Sequence, residues 1–207
     1  RRVLFRSLSI YADRGNVRVL EQRLRWRGLP VEVAPLALGD ELDPRASDVI
    51  LIGGGQDRDQ ALVAEALLAQ APAIRAAVDD GAALLAVCGG YQLLGHSYVD
   101  QSGRETPGTG LVDLETRAGG HRLIGNVLVR VKLDGRDYDM VGFENHAGRT
   151  TLGKGVEALG LGQGVGRAED ALMAEMHAVE ITDGQGERRA FGVGRSMGDQ
   201  HKSARMA

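Results

Sequence analysis

The sequence predicts an α/β protein with a mainly parallel sheet and helices packed against it. Two observations carry this. Short apolar runs alternate with amphipathic helical patterns through the first half, and two of those runs end abruptly in glycines. A third observation, the change to β-type alternation after Gly108, predicts extra antiparallel strands in the second half. The 207 residues read as one domain over 8–207, long enough for a substantial core. Arg1-Arg2-Val3-Leu4-Phe5-Arg6-Ser7 resembles a translated library adaptor and is set apart as a foreign leader.

The elements follow in order. Leu8-Ser9-Ile10 is the remnant of a first strand. Residues 16–28 form a helix with Val17, Leu20 and Leu24 on one face and arginines largely on the other. Val31-Glu32-Val33 is a short strand, and 40–44 is loop. Residues 48–52 are a buried strand that runs into Gly53-Gly54-Gly55. Residues 61–80 are helix, interrupted at Pro72, where the missing N–H and the ring disfavour a helix interior. An apolar strand then leads to Cys88-Gly89-Gly90 and a further helical pattern. Beyond Gly108, residues 110–116, 122–133 and 138–143 alternate as strands, with Leu123, Val127, Val129 and Val131 in the pattern. The glycine-rich remainder offers a helical patch at 168–176 and a strand at 178–181.

Composition narrows the function classes. Hydrophobic residues make 43% and charged residues 26%, the balance of a folded chain rather than a disordered one. A formal charge of −3 gives no electrostatic case for nucleic acid or an anionic membrane. The single cysteine excludes an internal disulfide framework and a cysteine-based zinc site, and suits a cytoplasmic, reducing compartment. No apolar run approaches the ~20 residues of a membrane span, and no signal peptide is evident.

The chemistry concentrates at Cys88. A lone cysteine is more often a small buried hydrophobe. Here a strand leads into it and glycines follow it, so the turn should expose the sulfur to the N–H groups and positive dipole end of the next helix. Gly53-Gly54-Gly55-Gln56-Asp57-Arg58, at the end of the preceding strand, lets backbone approach a ligand closely. Acyl transfer through a thiol needs N–H donors facing a developing oxyanion, and Gly54 and Gly89 could supply one each.

The Val-Cys-Gly-Gly-Tyr-Gln elbow and the Gly-Gly-Gly-Gln-Asp loop resemble class I (triad-type) glutamine amidotransferases of the CobB/CobQ-like kind. Tyr11-Ala12-Asp13-Arg14-Gly15-Asn16, Gly108-Thr109-Gly110-Leu111 and Gly142-Phe143-Glu144-Asn145-His146-Ala147-Gly148-Arg149-Thr150 resemble the GatD branch, the glutaminase subunit of lipid II isoglutaminyl synthase. The similarity covers about residues 8–155. It implies a flavodoxin-like sheet with a nucleophile elbow at Cys88. It also implies that Cys88 attacks the glutamine side-chain amide, Gly54 and Gly89 hold the oxyanion, and Gln92 contacts bound glutamine. Arg122 would bind the substrate, its guanidinium fork suiting the α-carboxylate. Glu144 and His146 would be site-shaping or structural, while His96 and His121 match no motif. The partner implied is a MurT-like Mur ligase that holds ATP and Mg and amidates the D-glutamate of lipid II. This chain has no phosphate loop of its own and needs no cofactor for glutaminase chemistry.

One element departs from that family pattern. Where the family carries its catalytic histidine, Phe191-Gly192-Val193-Gly194-Arg195-Ser196 sets Ser196 in the histidine's place. Only His177 and His201 remain downstream. A frame-shifted tail is the preferred reading. The rivals are a cobyric-acid-synthase-like glutaminase domain, a catalytically impaired relative, and a cysteine hydrolase of the same fold.

Overall fold

The computed structural model describes residues 3–8, 14–37, 39–54, 57–133, 135–164, 178–182 and 188–193. Four strands form the parallel part of the sheet. They are β1 (Val3–Leu8), β2 (Val31–Pro35), β3 (Val49–Ile52) and β4 (Ala83–Ala86), in the order β2-β1-β3-β4. β1 lies earlier than the sequence suggested, with Leu8 as its last residue; Ser9 and Ile10 fall outside the described residues. The chain leaves β1 toward β2 on one side and returns to β3 on the other. In such sheets ligands collect outside the carboxyl ends of the strands, near that reversal.

Two helices connect these strands. In α1 (Arg14–Trp26), Val17, Leu20 and Leu24 are half-buried at the predicted spacing, and Trp26 is left 73% exposed. α2 (Asp57–Asp79) runs unbroken through Pro72, which corrects the predicted interruption. The reason lies in packing. Val63, Ala64 and Leu67 before the proline, and Ile74, Ala77 and Val78 after it, are all buried in one core. Both halves are therefore held against the sheet, while Pro72 itself faces solvent. Gln70 latches the preceding loop onto this helix. Its Oε1 accepts from Leu42 N at 3.0 Å, and its Nε2 donates to Asp40 O at 2.7 Å.

After β4 come the short α3 (Gly89–Leu94), β5 (Ser97–Val99) and β6 (Glu105–Pro107). The pair β5–β6 has no counterpart in the sequence reading, because three-residue strands carry no measurable alternation. Residues 108–112 then dock on the end of α3. Thr109 N donates to Leu93 O at 2.8 Å, Val112 N to Leu94 O at 3.0 Å, and Thr109 Oγ1 reaches both carbonyls. The Gly-Thr-Gly-Leu stretch thus satisfies carbonyls that a helix end leaves unpaired.

The second half is a long antiparallel ribbon of β7 (Leu114–Leu133) and β8 (Arg136–Leu152), not the several short strands expected. β9 (Glu157–Gly164), β10 (Ala178–Thr182) and β11 (Arg188–Val193) complete one mixed sheet of order β2-β1-β3-β4-β10-β11-β9-β7-β5-β6. β10 joins β4 antiparallel, with Ala178 opposite Ala86, and fulfils the strand expected at 178–181. The helical patch at 168–176 lies outside the described residues. Among the described residues no helix is long and apolar enough to cross a membrane.

Pro72→Ala should restore the hydrogen bond that α2 lacks at its exposed face. We expect urea denaturation to show a stability gain of about 1–3 kcal/mol. A loss would mean that the proline shapes the helix in a way the core requires.

Candidate active site

The site is built where β3 and β4 end side by side. Ile52 pairs with Ala86, and Val87 N donates to Ile52 O at 2.9 Å, so the pairing runs one residue past both strands. Gly53 and Gly54 therefore pass beside Val87 and Cys88. A Cβ placed on Gly54 would lie 2.8 Å from Cys88 Cβ and 3.4 Å from its Sγ. Glycine is needed there for close approach, as the sequence suggested. Gly55 and Gln56 lie outside the described residues.

Cys88 itself adopts φ 55°, ψ −119°, the one non-glycine with positive φ among the described residues. Such a conformation costs of order 1–3 kcal/mol and persists only where neighbours enforce it. Here the neighbours are visible. Gly90 N donates to Val87 O at 3.1 Å and Gln92 N to Cys88 O at 3.1 Å, so the chain turns from strand to helix within one residue. Gly90 sits so close to the end of β3 that an added Cβ would come within 2.6 Å of Gly53 O. Every residue of α3 is buried, Gln92 at 8% exposure, whereas Cys88 is exposed. The result is a free thiol held outward on a buried base. The helix behind it is short; six residues give only ~9 Å of aligned dipole.

Arg122 belongs to a second cluster, on the ribbon. Register shifts between Ala118 and Leu123, so β7 bulges there against β8. Arg149 spans the bulge, donating to Ala147 O at 3.0 Å, Gly148 O at 2.8 Å and His121 O at 3.2 Å. Arg122 Nε donates to Asn145 Oδ1 at 2.6 Å and its Nη2 to Asn145 O at 3.1 Å. His146 Nε2 lies 3.4 Å from Glu144 Oε2, and its Nδ1 3.3 Å from Gly148 O. These contacts of Glu144 and His146 are local, within the same strand. His96 pairs with Asp113 at 3.0 Å on the surface, and His121 is exposed on the bulge.

The structure therefore brings Cys88, Gly54, Gly89 and Gln92 together at one turn. Arg122 makes its hydrogen bonds within the ribbon and none with that turn. Asn145 and Thr109 were missed as individual residues. Both lay inside stretches singled out as motifs, but their partners sit 23 and 16 residues away, beyond any local spacing rule. Ser196, His177 and His201 lie outside the described residues. Among the described residues no group of three or more His, Cys, Asp or Glu could hold a metal ion.

Comparisons with known proteins bear on this geometry. Residues 3–183 match the family model described as the CobB/CobQ-like glutamine amidotransferase domain. The subunit GatD of lipid II isoglutaminyl synthase (glutamine-hydrolyzing) from Staphylococcus aureus is 37% identical over 70% of this chain and 58% of its own length. The Streptococcus pneumoniae protein of the same name is 35% identical over 74% of this chain and 58% of its own length. The chain thus spans less than two thirds of these relatives. Cobyric acid synthase from a Caulobacter species is 39% identical over 46% of this chain and 20% of its own length. A crystal structure of a glutamine amidotransferase superposes with a TM-score of 0.53, covering 91% of this chain and 87% of that one at 16% identity, a likeness of fold.

The strained turn makes a prediction about its own energetics. Cys88→Gly should be more stable than Cys88→Ala by about 1 kcal/mol, since glycine adopts positive φ freely. Gly54→Ala should slow alkylation of Cys88 by iodoacetamide several-fold by crowding the sulfur. Equal stability of the two Cys88 variants would mean that the turn relaxes in solution.

Proposed function

The chain belongs to the CobB/CobQ-like glutamine amidotransferase family, and from that premise we propose that it is a glutaminase subunit that releases ammonia from glutamine. The observation that carries the proposal is Cys88, exposed at positive φ, with Gly54 pressed against its side chain. In this reading the Cys88 thiolate attacks the carbon of the glutamine side-chain amide. The C–N bond breaks, the nitrogen takes a proton and leaves as ammonia, and a γ-glutamyl thioester remains. Water then attacks the thioester, glutamate departs and the thiol is regenerated. The amides of Gly54 and Gly89 face the oxyanion. Gln92 supplies a polar contact to bound glutamine from within α3, and Arg122 holds the α-carboxylate.

The ammonia would pass to a MurT-like ligase acting on the D-glutamate carboxylate of lipid II, with ATP and Mg on that partner, in the bacterial cytoplasm. Two GatD relatives, matched over most of this chain, support this assignment over corrinoid amidation. Cobyric acid synthases match over up to 70% of this chain as well, at 32% identity, but over only 20–30% of their own length.

Activation of the thiol is the second question. The chain has five histidines. His96 is paired with Asp113, His146 with Glu144, and His121 stands on the ribbon bulge. His177 and His201, which lie outside the described residues, are the other two candidates for the base. Ser196 in the family histidine's position favours a second reading, a glutamine-binding relative with little turnover.

Glutamate release should be abolished by Cys88→Ala, alone and with a MurT-type ligase present. Arg122→Ala should raise KM for glutamine roughly 10- to 100-fold. If His177 is the base, His177→Ala should lower kcat by about two to four powers of ten and His201→Ala should not. Release that survives Cys88→Ala would refute the thioester mechanism. Glutamine binding without release would establish the impaired relative.

A further inference from the structure

We propose that Asn145 is the positioning residue for Arg122, fixing which edge of the guanidinium is presented to the carboxylate of glutamine. The inference rests on the reading of Arg122 as the carboxylate anchor. A guanidinium is planar and offers two edges on which a pair of N–H groups can bind a carboxylate side by side, one through Nε and Nη2, the other through Nη1 and Nη2. Asn145 occupies the first edge with both of its oxygens, the side-chain Oδ1 at 2.6 Å from Nε and the backbone O at 3.1 Å from Nη2. Among the described residues Nη1 makes no hydrogen bond, and Nη2 keeps a second hydrogen for that other edge. One edge is thus consumed in holding the group, and the other remains to bind.

The surroundings explain why such a clamp is needed here. Arg122 and Asn145 are both exposed, and a long arginine side chain at an exposed site loses considerable rotamer entropy when it is ordered by a ligand. Arg122 also follows Gly119, Gly120 and His121 in the bulged stretch, where β7 has no regular pairing. Asn145 lies just beyond that stretch on β8, opposite Ile124, within the regular ladder. Its backbone is therefore fixed by the sheet. The paired donors order the guanidinium before the ligand arrives, so less entropy is lost on binding. Asparagine suits the task because it accepts without charge. An aspartate would hold Arg122 equally well while repelling the incoming carboxylate.

Calorimetric titration of the full chain with L-glutamine tests this. Asn145→Ala should weaken binding about tenfold, because it removes the Nε bond and leaves the backbone acceptor. Arg122→Ala should weaken it further, and the double variant should bind no more weakly than Arg122→Ala alone, the signature of two residues acting as one. Asn145→Asp should keep the melting temperature of the parent yet bind glutamine more weakly, an effect that a purely structural asparagine would not produce. It also carries the test if Asn145→Ala fails to fold. Unchanged affinity in Asn145→Ala or Asn145→Asp, or additive losses in the double variant, would overturn the inference while leaving Arg122 as the anchor. Unchanged affinity in Arg122→Ala would overturn the anchor and the inference together.

Discussion

The site depends on one backbone constraint, the left-handed conformation forced on Cys88. A strand and a helix meet there with only Val87 and Cys88 between them. β4 is tied to β3 up to Val87, and the first helical bonds of α3 already close on Val87 O and Cys88 O. The intervening residue must absorb the whole change of direction, which puts its φ at 55°. A glycine would do so without cost. A cysteine there carries strain that the buried faces of β3, β4 and α3 must offset. Ile50, Ile52, Leu84, Ala86, Leu93 and Leu94 form one core beneath the turn, so the strain is borne by packing rather than by polar bonds to the thiol. The same core explains why Gly54 and Gly90 carry no side chain: the elements are pressed together until only backbone fits.

The ribbon solves a different problem. An arginine that binds a ligand must be exposed, yet exposed arginines are disordered unless something organises them. β7 and β8 provide that organisation through their irregularity. The bulge after Ala118 takes Arg122 out of the regular ladder, Arg149 closes the bulge by donating to three carbonyls, and Asn145 grips the guanidinium. Further along, the ribbon exposes Ile124, Val141 and Phe143 at 64–83%. In the antiparallel register these side chains share one face with Asn145. Exposed apolar patches of this kind mark interaction surfaces.

The parallel half was legible in the sequence because each of its signals is local. An apolar run that ends in glycine gives a strand and its turn, as at Ile52-Gly53-Gly54 and Ala86-Val87-Cys88-Gly89. The position of Cys88 followed from that punctuation alone. Pro72 misled for the opposite reason. Its helix-breaking tendency is local, whereas the packing of Leu67 and Ile74 that overrides it is not. The ribbon was only partly readable. Alternation at Val127, Val129 and Val131 identified strand, but the length of β7 depends on its pairing with a β8 that starts after Gly135 and returns to Leu152. The clamp on Arg122 depends on that register too, so no spacing rule could have reached Asn145 from Arg122.

Placement and activation of the thiol are separable. The turn, the glycines and the core fix where the sulfur stands. A triad-type site gains its rate from an imidazole within hydrogen-bond reach, and two of the three histidines among the described residues already face carboxylates of their own. In the proposed mechanism, a protein with this turn and no such base would hold glutamine at Arg122 and form the thioester slowly, with turnover lower by about two to four powers of ten. The two halves of the site then have different sensitivities. In the proposed mechanism, substrate affinity is governed by the ribbon, through Arg122 and the asparagine that holds it. Rate is governed there by the base that meets Cys88, at the turn beyond β4.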